Sequence, residues 1–193
     1  MNVEQAMSRW RVGHHAFFVL LQGIILTHRR LEAALIAGDM PSARRALLQA
    51  ARMLDGSAAA MRFAGDMPSE RYVAVRESMT PPNVPAKFSG LWSIDHCAMI
   101  DGMKALRERL ANYWEPLEAE LQTWHEAIDR VYTAHACVCE YFVGNGPSLA
   151  MRSETSKCTR SALENIEAFR KRTLALVTPG EANAEETADV ENT

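Results

Sequence analysis

Between Val3 and Ala37 the chain contains no proline, and its apolar residues return at steps of three and four: Val12, Ala16, Val19, Leu20, Ile24 and Leu31. That period is helical. Phe17 to Leu26 is apolar almost all round, which predicts a helix buried among others and not laid on a surface. Gly38-Asp39-Met40-Pro41 ends it, glycine as the stop and proline opening the next helix. Ser42 to about Phe63 is alanine-rich with Arg44 and Arg45 outside. The first two helices are therefore expected as an antiparallel hairpin on a short loop.

The rest repeats the pattern. After a break at Gly65 to Pro68, Ser69 is placed to cap a short helix carrying Tyr72 and Arg76. Met79 to Gly90 reads as an irregular, proline-containing loop. Leu91 to Tyr113 is the next helix, with Trp92, His96 and Met99. Pro116 restarts the chain into a long helix to Phe142, stopped by Gly144 and Gly146. Ser153 to Val177 is a last helix. No run with strand period appears, so the class is all-α, a bundle of five to six helices. Residues 1–179 are expected as one domain and 180–193 as an acidic disordered tail.

Charge narrows the function. The formal net charge is -3. The tail holds Glu181, Glu185, Glu186, Asp189 and Glu191 and no base, so taking five acids from -3 leaves a body at +2. That gives no case for nucleic acid. No run of 18 apolar residues spans a membrane, and no signal peptide is apparent. Four cysteines in a long helical chain read as reduced thiols. The expected location is the cytoplasm.

Chemistry concentrates in His135-Ala136-Cys137-Val138-Cys139 and the Gly144-Asn145-Gly146-Pro147-Ser148 turn. His135 and Cys139 are four apart and share a helix face. Zinc fits poorly, because the CVC spacing points the sulfurs apart. A cysteine nucleophile fits poorly too, because nothing is placed to orient the histidine. CxxCH is absent. A histidine on haem iron with a thiol one turn along could reach the macrocycle edge. Taken alone, the pair is better explained as core, cysteine being a small buried hydrophobe. Of the other histidines, His28 beside Arg29 and Arg30 reads as surface, and His125 is given no role. His14, His15 and His96 remain.

Two further segments precede this one in order, and the three together form a set. Trp10 is followed four later by His14, in His14-His15-Ala16-Phe17. Tyr72 is followed four later by Arg76, in Tyr72-Val73-Ala74-Val75-Arg76-Glu77-Ser78-Met79-Thr80-Pro81-Pro82, with Phe88 and Leu91 beyond. His135 is followed by Cys139, Glu140 and, nine residues on, Gly144. This set resembles the tryptophan 2,3-dioxygenase-like superfamily of histidine-ligated haem proteins. Cys139 makes it similar to the haem-dependent tyrosine hydroxylases within that superfamily, whose pattern is H-x(n)-H-x-x-x-C. His96, His135 and Cys139 fit that pattern.

The resemblance implies a bundle around a b- or c-type haem. It implies His135 as axial iron ligand, Cys139 as a thioether tether, and Phe88, Gly144 and Gly146 against the haem. Trp10, Phe17 and Tyr72 would wall an aromatic substrate, Arg76 would anchor its carboxylate, and Asn145 would meet its amino group or a propionate. His14 and His96 compete for the distal acid–base role. The implied activity is oxygenation or hydroxylation of an aromatic amino acid or a derivative with oxygen or peroxide, by a homo-oligomer (dimer or tetramer). Tryptophan 2,3-dioxygenase-type ring cleavage, a non-catalytic haem sensor and a plain helical interaction module are the alternatives. Fewer than ten residues precede Trp10, where the family has a pocket-closing segment; a more open pocket or a larger substrate is therefore expected.

Overall fold

A computed structural model describes residues 1–84 and 93–143, and these residues form five helices and no strand. The order is α1 Val3–Ala37, α2 Met40–Gly65, α3 Ser69–Ser78, α4 Ile94–Ala111 and α5 Trp114–Phe142. The last helix expected from sequence and the acidic tail lie outside the described residues.

Local signals set most boundaries. Asn2 caps α1 in a reciprocal box with Gln5, at 2.8 and 2.9 Å, which satisfies two of the orphan donors of a helix start. Gly38 ends α1 at φ 69°, a left-handed conformation that glycine adopts without strain. Asp39 then caps α2 through the Ser42 N–H at 3.0 Å, with Pro41 in the first turn. At α3 the cap falls one residue earlier than expected: Pro68 holds the position and Ser69 is already helical.

Gly102 faces His28, and Arg109 reaches Glu32 at 3.8 Å, so α4 runs the same way as α1. Arg44 bonds the Pro116 carbonyl at 2.6 Å, Arg130 bonds Asp55 at 2.7 and 3.2 Å, and Val138 packs on Gly65. Hence α5 runs with α2. The four long helices thus alternate up and down, with α1 and α2 packed as a hairpin, α4 packed on α1 and α5 on α2. The surface ion pairs fix register more than they stabilise.

The main core runs between the long helices through Leu21, Ile24, Leu31, Leu35, Leu47, Leu54, Met103, Leu117, Leu121 and Trp124. The α1–α2 seam is close because its residues are small. A methyl added at Gly13 would lie 2.5 Å from Ala64 Cβ and 3.0 Å from the Ala60 carbonyl oxygen.

Two expectations fail here. α1 is not buried all round: Val19 is 69% exposed and Leu26 52%. Its neighbours α2, α3 and α4 cover one side, and among the described residues nothing covers the other. His28 is not a surface residue but is 4% exposed. It lies on the inner face of α1 with Ile24 and Leu31, while Arg29 and Arg30 turn outward. Charged sequence neighbours say nothing about which face of a helix a residue occupies.

Candidate functional site

A second, smaller core closes one end of the bundle, where α1 begins and α2 and α5 end. It consists of Ala6, Met67, Tyr72 and Val75, with Met7, Trp10, Met79, Phe142 and Val143 packed against it. The short helix α3 is seated between α1 and α5. Each residue arrives by helical spacing: Trp10 and His14 one turn apart on α1, Tyr72 and Arg76 one turn apart on α3, and His135, Cys139 and Phe142 on one face of α5.

The rings form a continuous series. His14 lies 4.2 Å from Trp10, Trp10 lies 5.5 Å from Tyr72, and Tyr72 stacks on Phe142 at 4.2 Å with 18° between planes. Offset and tilted aromatic pairs at these separations are favourable beyond their buried area.

Polar groups are fixed among the rings. The Trp10 carbonyl lies 2.8 Å from His14 Nδ1. A carbonyl only accepts, so Nδ1 carries the hydrogen, and the lone pair of the neutral imidazole is on Nε2. Burial holds the His14 pKa below its ordinary value, against the hydrogen bond to Trp10. Burial raises the Tyr72 phenol, while Arg76, which hydrogen-bonds the hydroxyl, opposes that. Cys139 is close enough that its thiolate would raise the phenol further. Burial pushes the Cys139 thiol up to about 11. At neutral pH, His14, Tyr72 and Cys139 are therefore uncharged, and the charge among these side chains belongs to Arg76. A guanidinium beside aromatic rings suits a carboxylate carried by an aromatic molecule.

The structure thus brings together Trp10, His14, Tyr72, Arg76 and Cys139, with half-buried His135 one turn before Cys139 on α5. Phe17 is placed otherwise: it pairs edge-on with Phe18 at 5.6 Å and packs on the main core, two turns beyond Trp10. His96 stands in the first turn of α4, its N–H bonded to the Ser93 hydroxyl at 3.2 Å. α4 packs on α1 with Gly102 beside His28, so its first turn lies further along α1 than Trp10 and His14. Phe88, Gly144, Asn145 and Gly146 lie outside the described residues. Sequence reasoning missed Phe142, although it stands three residues after Cys139 and seven after His135, on the same helical face.

Among the described residues, His135 and Cys139, an imidazole and a thiol one turn apart on a half-buried face, are the pair that could hold a haem, the histidine through the iron and the cysteine through the macrocycle.

Fold and cluster together define a helical protein whose aromatic-walled end gathers the Arg76 guanidinium, a neutral imidazole and a half-buried thiol. Residues 1–123 match the family model described as SfmD 3-methyl-L-tyrosine peroxygenase, and the chain belongs to that family. It is 34% identical over 173 residues to the 3-methyl-L-tyrosine peroxygenase of Streptomyces lavendulae. That match covers 87% of this chain and 46% of the relative, so the chain spans about half the relative's length. No solved structure matches it.

Proposed function

We propose that the chain is a haem-dependent peroxygenase or hydroxylase acting on tyrosine or a tyrosine derivative, with a tryptophan 2,3-dioxygenase-like site. The observation that carries the reading is the cluster itself. Three segments far apart in sequence, Trp10–His14, Tyr72–Arg76 and His135–Phe142, converge on one end of the bundle. The relative named for 3-methyl-L-tyrosine supports a phenolic substrate and peroxide over indole-ring cleavage.

Haem, when bound, would activate the peroxide, which supplies both the oxygen atom and the two oxidising equivalents and leaves as water. In this reading His135 ligates the iron and Cys139 tethers the macrocycle. Arg76 anchors the substrate carboxylate through its planar fork. Trp10, Tyr72 and Phe142 orient the ring and exclude water. His14 holds a hydrogen-bond acceptor at Nε2, suited to taking a proton from peroxide or from the substrate hydroxyl. His96 competes for that role. A homo-oligomer belongs to the same reading, and the apolar side chains of Val12, Val19 and Leu26, seven residues apart on α1, stand exposed.

The test is direct. The purified chain supplied with haem should show a Soret band, and His135→Ala should lose it. Cys139→Ala should keep the band but release haem into acidified organic solvent, whereas the parent should not. With peroxide and 3-methyl-L-tyrosine, a hydroxylated product is expected. Full haem retention by His135→Ala removes the axial assignment. No haem binding by the parent removes the reading.

A further inference from the structure

Far from the aromatic cluster, the middle of the main core contains a polar pair that the proposed chemistry does not use. His28 on α1 and Trp124 on α5 are each 4% exposed. Their rings meet edge to face, centroids 6.4 Å apart at 75°. Among the described residues, neither His28 ring nitrogen nor Trp124 Nε1 has a hydrogen-bond partner. Buried polar groups are almost always paired, so three such atoms in adjacent side chains require an explanation.

Both rings line one cavity, walled otherwise by Leu31, Leu47, Met103, Leu106, Arg107 and Leu110. The free space in this cavity is about 10 Å³. That is about the smallest space that holds a single water. We propose that this cavity is an internal hydration site, in which an ordered water joins the Trp124 indole to the His28 imidazole.

The donor and acceptor inventory selects water. Trp124 Nε1–H can only donate, and a neutral imidazole has one donor and one bare nitrogen. The occupant must therefore accept from the indole and still be able to donate to the imidazole, in a space a few ångströms across. Water does both. A hydrocarbon or noble gas does neither. Arg107 also lines the cavity, but a space that barely holds one water is too small for a polyatomic anion.

High-resolution diffraction from the intact chain, with and without xenon, tests the site, as do water–amide NOE measurements. Expected are one water within hydrogen-bond distance of both Trp124 Nε1 and a His28 nitrogen, a water NOE to the Trp124 indole N–H, and no xenon. Trp124→Phe keeps the ring and removes the donor; its water occupancy should fall several-fold and xenon should enter. An empty cavity in the parent overturns the proposal, whether or not xenon enters. An unchanged water in Trp124→Phe does so equally, because the indole would then not be a ligand.

Discussion

His28 makes acid stability the sharpest quantitative consequence of the fold. Burial lowers its pKa from 6.5 to about 4. In the unfolded chain it titrates normally, so between these values the unfolded state binds a proton that the native state refuses. Stability is therefore fully present above pH 6.5 and falls as the pH drops toward 4. The whole shift corresponds to about 3 kcal/mol, at about 1.4 kcal/mol per pKa unit. Between pH 7 and pH 5 the share is about 2 kcal/mol. The assay is urea unfolding at both pH values for the parent and for His28→Gln, which keeps polarity and removes the titration. The parent should lose about 2 kcal/mol more than the variant over that interval. His14 is shifted in the same direction, but it is present in both proteins and cancels. Equal losses in the two proteins, or an imidazole resonance of His28 titrating near 6.5, would refute the reasoning.

Other expectations concern helix contacts and the cluster. Gly13→Ala forces a methyl onto Ala64 and the Ala60 carbonyl; overpacking should outweigh the ~1 kcal/mol of helix propensity gained and lower stability by about 1 kcal/mol. Gly102→Ala meets only His28 Nδ1 at 3.8 Å and should instead gain ~0.5–1 kcal/mol; thermal melts of the pair distinguish them. In haem-free protein at pH 8, about one Cys139 in a thousand is ionised, given its pKa of about 11. A thiol reagent should accordingly label exposed Cys97 and Cys137 first, and mass spectrometry finding Cys139 in the fast fraction contradicts this. Arg76→Ala should weaken binding of a tyrosine-type ligand by about 2–3 kcal/mol, the loss of a charged partner; calorimetry showing unchanged affinity removes Arg76 from the site.

Elements were legible in the sequence wherever a local rule decided them. Gly38 and Pro41 marked the first turn because one supplies a left-handed residue and the other lacks an N–H. Four-residue spacings paired Trp10 with His14, Tyr72 with Arg76 and His135 with Cys139, because one helical turn carries each pair to one face. Faces set by tertiary contacts were not legible. His28 was misread because its charged neighbours are visible in sequence, whereas Trp124 and Gly102, which enclose it, are about a hundred and about seventy residues away. The apolar stretch Phe17–Leu26 suggested complete burial, yet the fold supplies neighbours on one side only. Phe17 followed the spacing of Trp10 but lies two turns further along, in a different core.

The close seam at Gly13 has a further consequence for the aromatic end of the bundle. Gly13 immediately precedes His14, and Ala64 immediately precedes Gly65, where α2 ends before the short connection to α3 and Tyr72. One small-residue contact therefore acts as a gauge block between the helix that presents Trp10 and His14 and the helix that leads to Tyr72 and Arg76. Gly65 in turn seats Val138, one residue before Cys139. Three walls of the cluster are thus set to a common spacing by side chains that are nearly absent. Adding single carbons at these two glycines offers a way to widen the cluster in small steps without changing any group that lines it.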